Sequence, residues 1–257
     1  MSVSVIITTY NSEKFISDSI QSVLNQTYQN FEIIVVDDLS TDRTKIVVQE
    51  LMEKDCRIKW FQFENNFGGP ARGRNYGIDN AKYDLVAFLD SDDIWLQNKL
   101  EKQIEVMKKH EIYFCSTSVK RFSGKTPKIK LNTDLNYTKI NFRKLLIRCY
   151  IPLSSVIFNK FKFNFRFDES KSLIAFEDYD SWLKIHKKFN FSIKLNSQLV
   201  FYRVNDFQIS KDKTLRFYQH FRIRNKYINS RFSKLYSCFY IFLMLCHLAF
   251  NYLFKKL

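Results

Sequence analysis

The first hundred residues alternate between two hydrophobic periods. Val3–Thr8 is a short, β-branched apolar run, and after the turn-like Tyr10-Asn11-Ser12 come Phe15, Ile16, Ile20, Val23 and Leu24 at helical spacing. A strand buried on both faces reads as an unbroken apolar run, whereas a helix covering it shows apolar residues three and four apart. The pair recurs: Phe31–Val36 is a second strand, and Ser40-Thr41-Asp42 offers capping oxygens before a helix carrying Ile46, Val47 and Leu51. Ile58–Phe63 and Asp84–Leu89 read as two more strands, with a Gly-containing turn and a short helix over about residues 70–81 between them. Leu96–Lys109 follows as an amphipathic helix. The alternation predicts an α/β fold, a mostly parallel sheet covered by helices on both faces.

Beyond residue 112 the periodicity weakens. Ser123–Tyr137 is polar and Lys-rich and reads as a loop; a helix near 139–149, strands near 154–158 and 193–203, and a helix over about 178–190 complete a second lobe. The organisation expected is a first half over 1–111, a second half over 112–212 and C-terminal helices over 213–257.

Composition narrows the class. A chain of 257 residues, 46% hydrophobic and 17% aromatic with 5 Gly and 3 Pro, buries a sizeable core and is not a disordered or linker-rich protein. The five cysteines include no Cys-x-x-Cys pair, which argues against a disulfide framework or a zinc site, and the N-terminus lacks a signal-peptide pattern, so an intracellular protein is expected. The net charge of +15 is uneven: residues 1–118 hold 13 basic and 18 acidic side chains, 119–166 hold 12 and 1, and 211–257 hold 10 and 1.

In open α/β sheets ligands collect outside the carboxyl ends of the strands. Polar residues stand at that position three times: Thr8, Thr9, Tyr10 and Asn11 after the first strand, Asp37 and Asp38 after the second, and Asp90-Ser91-Asp92-Asp93 after the fourth. Two aspartates one residue apart can turn toward one hard cation such as Mg2+ or Mn2+, which prefers oxygen ligands shared with a diphosphate. No glycine stands in Thr8–Ser12, which excludes the dinucleotide-binding turn of an oxidoreductase.

Six blocks carry a resemblance. Val3-Ser-Val-Ile-Ile-Thr-Thr-Tyr-Asn11, Ser22-Val-Leu-Asn-Gln-Thr-Tyr28, Ile34-Val-Val-Asp-Asp-Leu-Ser-Thr-Asp42, Ala71-Arg-Gly-Arg-Asn-Tyr-Gly77, Val86-Ala-Phe-Leu-Asp-Ser-Asp-Asp-Ile-Trp95 and Phe176-Glu-Asp-Tyr-Asp-Ser-Trp-Leu183 resemble, in order, glycosyltransferase family 2. The resemblance implies a GT-A fold with a Rossmann-like sheet, and an inverting sugar transfer from a UDP-sugar to a glycan or glycolipid acceptor. It assigns Thr8, Tyr10 and Asp38 to the nucleobase, Arg74 to the diphosphate or base, Asp90 and Ser91 to the ribose side, and Asp92 to Mn2+ or Mg2+. It makes Asp178 the general base, with Glu177, Asp180 and Trp182 on the acceptor side. Tyr179, Trp182, His186 and Phe189 also share a helical face that suits packing. The chain departs from the family where a histidine often follows a late Tyr-Arg; here Asn205 stands in that region.

Leu235–Phe254 is rich in Phe, Leu and Tyr and lies between basic residues, which suits an interfacial helix on an anionic inner-membrane surface at its cytoplasmic face. Core packing, a spanning helix or a homodimer contact are its alternatives. The competing classes are a basic nucleic-acid-binding protein, against which the acidic strand-end cluster speaks, and a catalytically silent sugar-nucleotide-binding homologue.

Overall fold

The computed structural model describes residues 1–125, 135–149, 151–204 and 213–228. The chain divides into two compact units, Met1–Gln208 and Ile209–Leu257.

In the first unit the predicted alternation appears as β1 (Val3–Thr9), α1 (Ile16–Leu24), β2 (Phe31–Asp37), α2 (Thr44–Met52), β3 (Ile58–Gln62), α3 (Pro70–Asn80) and β4 (Leu85–Asp90). After it come β5 (Ile94–Trp95), α4 (Lys99–Lys109), β6 (Phe114–Phe122), β7 (Tyr137–Ile140), α5 (Phe142–Ile147), β8 (Ile157–Asn159), α6 (Lys160–Phe163), α7 (Glu177–Lys188) and β9 (Ser192–Arg203). Among the described residues these strands form one sheet in the order β3-β2-β1-β4-β8-β6-β9-β5, with β7 on β9. Strands β3, β2, β1 and β4 run parallel; β8 is antiparallel to both β4 and β6, so β6 and its parallel partner β9 point the same way as β4. The carboxyl ends of β1, β2, β4, β6 and β9 therefore share one edge.

The two faces of the sheet are built differently. Val5, Ile7, Ile33, Val35, Ala87 and Leu89 pack with Ile16, Ile20 and Val23 of α1 and Leu100 and Ile104 of α4 in one aliphatic core. On the opposite face Phe88 stacks on Phe158 with ring centres 5.7 Å apart and meets Phe167 edge-on at 5.3 Å. Helix α3 also lies against β1 there. A Cβ added at Gly77 would stand 2.5 Å from Ile6 Cγ2, and one at Gly73 2.9 Å from Thr8 Cγ2. These glycines let a helix approach a strand more closely than any side chain permits.

Several local expectations need correction. The helix expected from Leu96 begins at Lys99, because Ile94–Trp95 pairs with β9 and the Leu96 N–H donates to the Leu199 carbonyl at 3.0 Å. The helix expected near 139–149 is strand β7 followed by α5, which Asn141 caps by accepting the Lys144 N–H at 3.0 Å. The strand expected near 154–158 is a single 3₁₀ turn at Leu153–Ser155 and then β8. Strand β6 carries no continuous apolar signature in the sequence, because Ser116 and Thr117, both fully buried, interrupt its apolar pattern. Of the polar segment 123–137, residues 126–134 lie outside the described residues.

The second unit contributes α8 (Lys213–Tyr227), with Arg224 and Lys226 in its last turn. No helix among the described residues is long and apolar enough to cross a membrane. The expectations for Asn205 and for Leu235–Phe254 fall outside the described residues.

Candidate active site

The shared carboxyl edge gathers the predicted polar residues. Register places Thr8 between Val36 of β2 and Asp90 of β4, and the Asp38 N–H donates to the Thr9 carbonyl at 2.9 Å. The turns that follow are tied together. The Asn11 N–H donates to Ser40 Oγ at 2.8 Å, and Asn11 Oδ1 accepts the Thr41 N–H at 2.8 Å. The N-cap of α2 is Arg43 rather than a residue of the Ser40-Thr41-Asp42 run; Asp42, just before it, accepts the Thr44 N–H at 3.0 Å, while Ser40 turns back and donates its N–H to Asp37 at 2.8 Å.

Tyr10 is half exposed. Asp38 is partly buried, and its two oxygens accept the N–H groups of Phe67 and Gly68 at 2.9 and 3.0 Å. Gly68, at φ +76°, occupies left-handed backbone that suits glycine. An ionised carboxylate has about four acceptor positions, so Asp38 retains capacity for a further donor.

Asp90, Ser91, Asp92 and Asp93 form the turn after β4. Ser91 Oγ pairs with Ser12 Oγ at 2.8 Å, and its carbonyl accepts Ser19 Oγ at 2.8 Å. Asp93 is fully buried and accepts Ser154 Oγ at 2.5 Å and the Arg203 N–H at 2.9 Å. Burial, with Asp90 and Asp92 adjacent, pushes its carboxyl well above the usual range. Ser154 Oγ also accepts the Asp90 N–H at 3.1 Å, and its own carbonyl receives Trp95 Nε1 at 2.8 Å. Ser154, Ser12, Ser19 and Arg203 thus shape the turn, and nothing local in their sequence marks them; only the assembled sheet brings them there.

Arg74, on α3, joins this turn to α7. Its guanidinium is buried, donates to Asp90 Oδ1 at 3.0 Å and pairs with Glu177 Oε1. Burial opposes its charge, but Asp90, Glu177 and Asp178 outweigh that and hold its pKa above the usual value. Glu177 is also buried, and its Oε2 has no hydrogen-bond partner in the protein. A cavity of ≈ 180 Å³ opens beside it, lined also by Phe67, Arg72, Glu169, Lys171 and Ile174.

Asp178 follows in the first turn of α7, which the chain enters through Ala175 at φ +67°. Its Oδ1 accepts the Tyr179 N–H at 2.6 Å. Burial among neighbouring groups and the adjacent Glu177 push its carboxyl up to about 7, against the opposing pull of Arg74. A carboxylate with that pKa is half ionised near neutrality, the property required of a general base.

Two residues expected on the acceptor side are placed elsewhere. Trp182 is fully buried, donates Nε1 to the Ile151 carbonyl at 3.1 Å and packs edge-on against Phe114 at 5.2 Å. Asp180 is fully buried and paired with Lys184 Nζ at 2.8 Å. His186 also packs: its Nδ1 donates to the Trp182 carbonyl at 2.8 Å, and burial depresses its pKa to about 4, so the ring is neutral.

The donor set at the strand end is all oxygen, which fits a hard divalent cation. Among the described residues no group of three or more His, Cys, Asp or Glu side chains is arranged to hold a metal. A cation here would therefore complete its shell with substrate or water oxygens. Asp93 accepts Ser154 Oγ and the Arg203 N–H, and Asp90 accepts from Arg74; Asp92, in the same turn, is the carboxylate that the family resemblance gives to the cation.

The sequence profile described as "Glycosyl transferase family 2" matches residues 4–169. The chain is 35% identical over 253 residues to UDP-Glc:alpha-D-GlcNAc-diphosphoundecaprenol beta-1,3-glucosyltransferase WfgD of Escherichia coli, covering 97% of this chain and 96% of that protein. The crystal structure of S. aureus TarS 1-349 in complex with UDP-GlcNAc superposes with a TM-score of 0.70 at 24% identity, over 92% of this chain and 69% of that one. Mannosyltransferase PcManGT from Pyrobaculum calidifontis, in complex with GDP-Man and Mn2+, gives a TM-score of 0.64 at 18% identity, over 86% and 63%. These likenesses make the fold GT-A, and by its profile match and its nearly full-length relative this chain is a member of glycosyl transferase family 2.

Proposed function

We propose that the protein transfers a hexose or N-acetylhexosamine from a UDP-sugar to a lipid-linked or surface-glycan acceptor, with inversion at the anomeric carbon. The observation that carries this reading is the Arg74 bridge, which ties the strand-end turn at Asp90 to the helix start at Glu177 beside a carboxyl poised near 7. A donor edge and a base thereby stand on the two sides of one arginine.

In this reading Tyr10 stacks on the base, Asp38 accepts the ring N–H of uracil, and Thr8 lines the base site. Asp90 and Ser91 border the ribose. Asp92 holds Mn2+ or Mg2+, which when bound offsets the charge gathering on the departing diphosphate. Asp178 removes the acceptor hydroxyl proton as that oxygen bonds to the anomeric carbon, and the bond from that carbon to the nucleoside diphosphate breaks on the opposite face. Glu177 Oε2 accepts a substrate hydroxyl. Trp182 and Asp180 support the wall behind it.

The relative's name supports a lipid-diphosphate acceptor and a UDP-glucose donor. Its β-1,3 linkage is the outcome that one displacement gives from an α-linked nucleotide sugar. A lipid-linked acceptor, with the basic C-terminal segment, supports work at the cytoplasmic face of the inner membrane on a lipopolysaccharide or capsule precursor.

The test is nucleoside diphosphate release from a panel of UDP-, GDP- and dTDP-sugars, with GlcNAc-diphosphoundecaprenol as acceptor and Mn2+ present. Release from a UDP-hexose that depends on acceptor, with a β-linked product, is the expected result. Turnover of GDP- or dTDP-sugars alone removes the uridine assignment, and a retained α-linkage removes direct displacement.

A further inference from the structure

Strand β9 ends at the same edge as β4, and its last residue reaches the acidic turn by two routes. The Arg203 N–H donates to Asp93 Oδ1 at 2.9 Å, and its side-chain Nε donates to the Asp92 carbonyl at 2.9 Å. The guanidinium is buried between two aromatic rings, 4.6 Å from the Phe15 centre and 4.5 Å from that of Phe122. Its remaining nitrogens meet the Gly124 carbonyl at 3.1 Å and Asp18 at 3.8 Å. One side chain thus connects β9, the end of β6, the start of α1 and the backbone that carries Asp92.

We infer that Arg203 is a positioning residue that fixes the Asp92 backbone and so sets how tightly the site holds a divalent cation; this rests on the proposed role of Asp92. A planar guanidinium clamped by two rings has little freedom left, so its Nε–H reaches the Asp92 carbonyl along one direction. The Asp93 contact from the same residue's backbone fixes the next position of the turn. A carboxylate on a turn held at two successive residues keeps one orientation, and groups that orient a metal ligand affect metal affinity strongly. Lysine keeps the charge but has one nitrogen, so it cannot serve Asp92, Gly124 and Asp18 together.

The experiment measures binding of Mn2+ in the presence of UDP, by calorimetry and by Mn2+ electron paramagnetic resonance, and binding of UDP without metal. It uses the full chain, Arg203→Met, Arg203→Lys and Asp92→Asn. The expected result is Mn2+ affinity about 10–100-fold weaker in Arg203→Met, a smaller loss in Arg203→Lys, and metal-free UDP binding unchanged in both. A merely structural role would weaken metal-free UDP binding and Mn2+ binding alike, and that outcome overturns the inference. Wild-type Mn2+ affinity in a cooperatively melting Arg203→Met also overturns it. Should that variant not fold, Arg203→Lys decides on the same criteria. Wild-type Mn2+ affinity in Asp92→Asn removes Asp92 as the ligand, and the positioning role with it; that failure shows in the Asp92 variant alone.

Discussion

Two acidic stretches frame the site, Asp90-Ser-Asp-Asp93 at the end of β4 and Glu177-Asp-Tyr-Asp180 at the start of α7, and they divide three carboxylates in the same way. In each, one carboxylate meets Arg74: Asp90 in the first, Glu177 in the second. In each, one is fully buried in structural bonding, Asp93 on Ser154 and Asp180 on Lys184. The third in each is the one proposed above for chemistry, Asp92 for a cation and Asp178 for a proton. The difference lies in the charge around them. The strand-end turn lies beside the guanidinium of Arg203, which donates to the Asp92 carbonyl, whereas Asp178 stands among packed groups next to Glu177, which suits a carboxylate that gains and loses a proton. Identical side chains take different roles because the backbone and neighbours that hold them differ.

The largest effect should come from removing the proposed proton acceptor while keeping its shape. Asp178→Asn retains an oxygen for the Tyr179 N–H but has no basic site, so kcat should fall about 10²–10⁴-fold with donor binding little changed. Steady-state kinetics together with UDP calorimetry would check this. A variant transferring at the wild-type rate would end the contrast between the two stretches.

Cutting the joint between them comes next. Arg74→Met leaves Asp90 and the buried Glu177 without their shared cation, at a cost of about 3–5 kcal/mol of folding stability. Denaturant unfolding would read the loss, and transfer should fail because the two edges are no longer tied. A loss under 1 kcal/mol would mean that Arg74 is not the joint.

How much of this was legible in the sequence follows the same division. Strands β1, β2 and β4 are buried on both faces, so their apolar runs stand out, and the polar residues at their ends fall where the sheet puts them. The second half was harder to read, because β5, β7 and β8 are two to four residues long and depend on β9 or β4 for their pairing. The acids in the Phe176–Leu183 block were visible. Their division was not, because it depends on Arg74 from α3, Lys184 one helical turn on and the aromatic wall behind Trp182. The shared depth of Gly73 and Gly77 under β1, which sets where Arg74 reaches, is a packing fact with no local signature.

A smaller effect sharpens the contrast in charge. With Asp178 pushed up to about 7, kcat/KM should rise tenfold per pH unit below about 7 and level off above it. Arg74 pulls that pKa down, so any residual activity of Arg74→Met should show the limb displaced to higher pH. A wild-type profile flat between pH 5 and 8 would assign the base elsewhere.

The smallest effect is on stability, and it separates a catalytic carboxylate from a structural one. The folded Asp178 holds its proton up to about 7, whereas the unfolded side chain releases it near 3.8. Between those values the folded state binds more protons than the unfolded chain, so stability falls as pH rises through this window and then stays level. Asparagine carries no such penalty. Asp178→Asn should therefore melt above wild type at pH 8, by on the order of a few °C, with the gap closing toward pH 4. Asp180→Asn should show no such gain, because it gives up the pairing with Lys184 instead. Thermal melts of both variants at the two pH values test this directly: a gain at pH 8 confined to Asp178→Asn marks the carboxylate whose placement favours function over stability, and equal behaviour of the two would erase that distinction.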